Sequence, residues 1–172
     1  MKKLEVFGAA KLKGQVKISG SKNASLPILA ATLLSDKRIS LTNIPRVKDV
    51  ETMIKLLESM GSKVKVLKNK NSLIIQNDKI IKAEASYDLM STMRAGIIVL
   101  GPLLARFGKA RASIPGGCNL GFRPIDIHLE ALKKMGVKYK LVDGYINAKA
   151  KNGLVGAKIK FPKISVGATE NL

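Results

Sequence analysis

At 172 residues, 46% of them hydrophobic, the chain is long enough for one domain and apolar enough to bury a core, which excludes intrinsic disorder. Its formal charge of +19, from 25 lysines and 6 arginines against 12 acidic residues, favours anionic partners: nucleic acid, an acidic membrane surface or phosphorylated small molecules. A single cysteine excludes an internal disulfide framework, one cysteine with one histidine cannot build a zinc site, and no apolar run reaches the roughly 18 residues of a membrane span.

The lysines are spread over the whole sequence and only seven aromatic side chains are available for base stacking, which points away from nucleic acid. Solvated surface lysines are the plain alternative to a functional field. The N-terminus, Met1 to Val6, is basic without the apolar core of a signal peptide, so the chain reads as a cytoplasmic protein of a reducing compartment.

Two segments share one layout. The first opens at Lys22-Asn23-Ala24 and continues through an apolar stretch, Ser25 to Leu34. A β-like Arg38-Ile39-Ser40-Leu41, a proline turn at Pro45 and a helical pattern follow, and the segment closes on Met60-Gly61-Ser62-Lys63-Val64-Lys65-Val66. The second opens at Met93-Arg94-Ala95 and runs through Gly96 to Phe107, Ala110 to Ile114, a loop from Pro115 and another helical pattern. It closes on Met135-Gly136-Val137-Lys138-Tyr139-Lys140-Leu141. The openings are 72 residues apart and the closings 75, which predicts an internal repeat of βαβαββ type.

In the second helix of each unit, Val50, Met53, Ile54 and Leu57, and Ile125, Leu129 and Leu132, recur at three or four residues with a glycine after the last turn. This spacing predicts amphipathic helices with glycine caps. The first helix of each unit, Ala24 to Leu34 and Ala95 to Ala105, is apolar nearly all round and is expected to be buried on every side. Each carries a cation at its N-terminal end, Lys22 or Arg94, where the helix dipole is already positive. Either an anionic ligand offsets that arrangement or both side chains extend to solvent; its occurrence in both repeats favours the anion. A strand is expected at Lys158 to Phe161, and small residues from Ser165 onward start a third buried helix, so the chain reads as truncated within a third unit.

The loop Ile114 to Pro124 places the lone Cys118 among three glycines and two prolines, with Arg123 nearby, the composition of a mobile loop with a reactive tip. A spare surface cysteine is the alternative. His128 lies beside the apolar stripe of its helix and reads as a satisfied, partly buried histidine; Glu170 and Asn171 are assigned no function.

Four groups of residues in order resemble a known family. They are Ser21-Lys22-Asn23-Ala24 with Leu26-Pro27-Ile28-Leu29; Met93-Arg94-Ala95 with Leu100-Gly101-Pro102-Leu103; Pro115-Gly116-Gly117-Cys118 with Gly121-Phe122-Arg123-Pro124-Ile125-Asp126; and Ser165-Val166-Gly167-Ala168-Thr169. Together they are similar to the UDP-N-acetylglucosamine 1-carboxyvinyltransferases, a branch of the enolpyruvyl transferases. The resemblance implies an inside-out α/β barrel of βαβαββ units around buried parallel helices, with the first domain incomplete. Residues 1–20 would be first strands, near Leu4 to Ile18, belonging to a second domain, and residues 21–172 would carry two complete units and the start of a third.

The resemblance also implies transfer of the enolpyruvyl group of phosphoenolpyruvate to the 3-hydroxyl of UDP-N-acetylglucosamine, with release of phosphate, in peptidoglycan synthesis. Cys118 would be the general acid, able to form a phosphoenolpyruvate adduct and open to alkylation by fosfomycin. Lys22, Asn23, Arg94 and Arg123 would meet the substrates. The runs Arg123, Pro124, Ile125, Asp126, Ile127 and Lys163, Ile164, Ser165, Val166, Gly167 would contact uridine and diphosphate. Neither cofactor nor metal is implied, the partners would be the two small-molecule substrates and the missing second domain of the same chain, and these 172 residues alone would be inactive. The readings left open beside it are the related transferase acting on shikimate 3-phosphate and a non-catalytic anion- or nucleic-acid-binding remnant.

Overall fold

The computed structural model describes residues 3–8, 11–67, 71–80, 82–115 and 125–172. The first unit runs α1 (Lys22–Ala31), a 3-10 turn (Thr32–Leu34), β1 (Ile39–Leu41), α2 (Lys48–Met60), β2 (Lys63–Leu67) and β3 (Ser72–Gln76). The second has β4 (Glu84–Ala85), a short α3 (Tyr87–Met90), a 3-10 stretch (Arg94–Val99) continuing into α4 (Leu100–Phe107), β5 (Lys109–Ser113), α5 (Asp126–Lys134), β6 (Lys138–Val142) and β7 (Tyr145–Lys149). After an irregular segment, α6 (Val166–Asn171) follows.

The repeat is explicit in the pairing. The first sheet has the order β1-β3-β2 and the second β4-β5-β7-β6, so β5, β6 and β7 reproduce β1, β2 and β3, all antiparallel, while β4 adds a parallel edge. Arg111 secures that edge: its guanidinium bonds the Glu84 carboxylate at 2.6 Å and stacks 3.6 Å from the Tyr145 ring centroid. Lys109, Lys149 and Lys138 stand directly opposite one another across β5, β7 and β6, all exposed, so much of the positive charge rests on solvated sheet surface.

The amphipathic helices form as the spacing predicts. Val50, Met53, Leu56, Leu57 and Met60 line the buried face of α2, and Gly61 ends it at φ 110°, a left-handed conformation natural to glycine. The helix beginning at Arg94 is buried without interruption from Gly96 to Leu104. It is not one regular helix, because Pro102 has no N–H to donate to Ile98; the proline sits in the first turn of α4, where that loss is harmless, and the residues before it wind as 3-10.

The buried helices run parallel. α1 packs on the 3-10 stretch Arg94–Val99, and the turn Thr32–Leu34 packs on α4. At their C-terminal ends the Arg106 guanidinium donates to the carbonyls of Leu33 (2.9 Å), Ser35 (3.1 Å) and Asn77 (2.9 Å). α6 packs on the same 3-10 stretch, with Asn171 at Gly101. The N-terminal ends, headed by Lys22, Arg94 and Ser165, therefore share one end of the bundle.

Three expectations are corrected. The described residues near Leu4 to Ile18 make no strand: Phe7 is 90% and Leu12 94% exposed, and no neighbouring strand pairs their backbone. Lys158 to Phe161 is irregular for the same reason. α1 is not buried on every side, because Ile28 and Leu34 remain about half exposed, and Leu34 lines, with Pro27, Ala31, Ile98, Pro102 and Leu172, an apolar cavity that no described residue fills.

Arg106 delivers a full charge to three carbonyls, two of them, Leu33 and Ser35, at the end of the turn that continues α1, where the dipole also favours a cation, and the third, Asn77, just after β3. Arg106→Leu is expected to cost about 2–4 kcal/mol and Arg106→Lys roughly half of that, read as the shift in urea midpoint at unchanged slope.

Candidate functional site

Ser21 caps α1, its hydroxyl accepting from the Ala24 N–H at 3.3 Å, which sets Lys22 and Asn23 as the first two helical residues. Both are exposed. Pro27 cannot donate to the Asn23 carbonyl, so the first turn of α1 lacks that bond. The Lys22 ammonium neither extends freely into solvent nor stands bare: it meets the Asp49 carboxylate of α2 at 2.9 Å, a half-exposed ion pair. Arg94 begins the 3-10 stretch at intermediate exposure.

Ser165 caps α6, its hydroxyl accepting from the Ala168 N–H at 3.3 Å and its carbonyl from Thr169. Around it Lys163 is exposed, Ile164 is 98% exposed and Val166 largely so, with Gly167 half-buried. At the start of α5, Ile125 is half-buried, Asp126 is exposed and Ile127 is buried. A shallow depression lies beside that turn, lined by Asp126, Ile127, Glu130, Lys134, Lys160 and Pro162, so it holds two residues of the first run singled out in the sequence and ends one residue before the second. The larger apolar cavity beside α1 is lined by none of the candidate residues and lies toward the C-terminal ends of the helices. Cys118, Arg123 and Pro124 lie outside the described residues.

Sequence reasoning passed over the residue that connects these parts. The buried Asn171 side chain accepts from the Gly101 N–H at 2.8 Å through Oδ1 and donates from Nδ2 to His128 Nδ1 at 3.1 Å. A backbone N–H can only donate, so the atom facing Gly101 is the oxygen and the one facing His128 the nitrogen; the imidazole must then accept at Nδ1 and carry its proton on Nε2. His128 is thus the satisfied, buried histidine expected from its position, 6% exposed. The available signal for Asn171 was an amide side chain one turn after Gly167.

The match of residues 6–172 to the family described as EPSP synthase (3-phosphoshikimate 1-carboxyvinyltransferase) covers nearly the whole sequence. The chain belongs to this family. Within the EPSP synthase family it is 70% identical over its whole length to the UDP-N-acetylglucosamine 1-carboxyvinyltransferase of Pelagibacter ubique (strain HTCC1062), covering 41% of that protein. It is 52% identical to the enzyme of the same name from Sulfurovum sp. (strain NBC37-1), covering 40% of it. The chain therefore spans about two fifths of the length of the curated relatives it matches.

Among solved structures, the enolpyruvyl transferase NikO from Streptomyces tendae superposes with TM-score 0.71 at 21% identity, over 86% of this chain and 32% of that one. EPSP synthase from Acinetobacter baumannii superposes with TM-score 0.68 at 15% identity, over 92% and 36%. The α/β fold of repeated βαβαββ units is thus the enolpyruvyl transferase fold, of which this chain forms a part. No helix among the described residues is long and apolar enough to cross a membrane.

Burial holds the His128 imidazole below its ordinary value of 6.5, opposed only in part by the Asp126 carboxylate. Below 6.5 the unfolded chain binds that proton more readily than the folded one, so this stability is complete above 6.5 and is lost as pH falls toward the lower folded value. The thermal midpoint is expected to drop as pH falls below 6.5, and His128→Asn, which keeps an acceptor at the δ position but does not titrate, flattens that part of the profile.

Proposed function

We propose that the chain is the part of a cytoplasmic UDP-N-acetylglucosamine 1-carboxyvinyltransferase that carries its first domain. The enzyme transfers the enolpyruvyl group of phosphoenolpyruvate to the 3-hydroxyl of UDP-N-acetylglucosamine and releases phosphate, a step of peptidoglycan synthesis. The observation that carries this reading is the 70% identity along all 172 residues to a protein of that name. The uncovered apolar side chains of Leu4, Val6, Phe7, Leu12, Val16 and Ile18 support a second domain as the partner of residues 1–20.

The substrate's chemistry fits the residues. Phosphoenolpyruvate brings a carboxylate and a phosphate to the end of the bundle shared by Lys22 and Arg94, where helix N-termini already favour negative charge. The exposed Lys22–Asp49 pair is worth at most about 1 kcal/mol, so a dianion can take the ammonium from Asp49 at small cost. Asn23 presents its amide beside that lysine for the sugar hydroxyl. Arg123 supplies a planar fork for phosphate or carboxylate, and Cys118 protonates C3 as the sugar oxygen adds to C2; both enter on the sequence alone. The depression between the α5 start and Pro162 supports Arg123 to Ile127 as the nucleotide side of the site, and Lys163 to Gly167, which begins one residue beyond Pro162, joins it on the resemblance of the sequence.

The test is phosphate release from phosphoenolpyruvate by the full-length enzyme. Release with UDP-N-acetylglucosamine and none with shikimate 3-phosphate is expected; the opposite preference rejects the assignment. Cys118→Ala should keep nucleotide-sugar binding and lose about 100-fold or more in turnover, whereas undiminished release removes Cys118 from the mechanism. Lys22→Ala should raise the KM for phosphoenolpyruvate more than Asn23→Ala does.

A further inference from the structure

We infer that His128 and Asn171 are positioning residues for nucleotide-sugar binding: their buried bond, with the His128 ring against Gly167, sets the start of α5, Ile125 to Ile127, against the segment that leads into α6, Lys163 to Gly167. The inference rests on the function proposed above and deepens it.

The imidazole of His128 lies against one turn of α6. Its Nδ1 meets Asn171 at 3.1 Å. Its Cε1–Nε2 edge faces Gly167, where an added Cβ would stand 3.6 Å from Cε1 and 3.7 Å from Nε2. The ring therefore touches the turn immediately after the Ser165 cap. The other arm of Asn171 is anchored on Gly101, where the helices approach so closely that a Cβ would collide with the Asn171 carbonyl. One side-chain amide thus joins the helix that begins at Arg94 and the start of α5 to the last residue of α6, while the His128 ring reaches back to Gly167 at the start of that helix.

Hydrophobic contact alone would hold these elements together but would tolerate sliding. A donor–acceptor pair with fixed polarity permits one register, because a displaced Asn171 leaves a buried N–H or ring nitrogen unpaired. His128 and Asn171 are 6% and 4% exposed, so they act on ligand only through the segments they hold. In a site that grips a uridine and a diphosphate with residues from two elements, displacement by about 1 Å between those elements can cost up to 100-fold.

The experiment is titration of the full-length enzyme with UDP-N-acetylglucosamine, paired with steady-state kinetics. His128→Gln removes the acceptor from the δ position and Asn171→Leu removes the donor. Each is expected to weaken the Kd for UDP-N-acetylglucosamine about tenfold while kcat and the KM for phosphoenolpyruvate change by less than about twofold. His128→Asn restores the δ acceptor and should bind within about threefold of wild type. In the wild type, which needs no variant to fold, the nucleotide sugar should slow hydrogen exchange at the Gly101 N–H, and unchanged exchange overturns the inference. So do wild-type affinity in His128→Gln, no recovery in His128→Asn, or an equal rise in the KM for phosphoenolpyruvate, which would mark general loosening. A wild-type enzyme that does not bind UDP-N-acetylglucosamine overturns the proposed function itself, and this inference with it.

Discussion

Continuous burial of the helix that starts at Arg94 is the constraint on which the other elements depend. From Gly96 to Leu104 no side chain escapes to solvent, so α1, the turn after it, β5 and α6 must all pack around this one rod. Each large apolar side chain taken out of water contributes about 1.5–3 kcal/mol, which makes this helix the largest local source of cohesion. Its polar ends then need local solutions. Arg106 satisfies carbonyls at the C-terminal end of the bundle, and the Asn171 amide takes the Gly101 N–H midway along.

The chemistry gathers at the opposite end because three parallel helices start there. Lys22 heads one helix, Arg94 the second, and Ser165 caps the third. The Lys22–Asp49 pair keeps that end from accumulating bare positive charge, while remaining weak enough to exchange. The basic surplus elsewhere has a different character. Lys109, Lys149 and Lys138 line up across a solvated sheet face, where they face water instead of converging on a shared pocket.

Periodicity made the repeat, both amphipathic helices and the buried second helix legible in the sequence. Apolar spacing in Val50 to Leu57 and Ile125 to Leu132 reports a face, and a face is a local property. What eluded the sequence depends on partners far along the chain. Leu4 to Ile18 has strand-like residues, but a strand exists only beside another strand. Ala24 to Leu34 is as apolar as its repeat, yet it keeps one side open because nothing among the described residues covers it. Asn171 looked featureless because its two partners, Gly101 and His128, lie 70 and 43 positions away. The candidate residues were found by motif resemblance; the pairing of Lys22 with Asp49 required the packed helices.

Each sheet closes within its own unit: the first pairs residues between Ile39 and Gln76, the second between Glu84 and Lys149, and among the described residues no strand is exchanged between them. The longest backbone closures are therefore confined to single repeats, and the units join afterwards through helix contacts. During synthesis from the N-terminus, the first sheet can zip up while the second is still emerging from the ribosome. Local sheet closure followed by helix packing is compatible in this way with vectorial assembly, one repeat at a time.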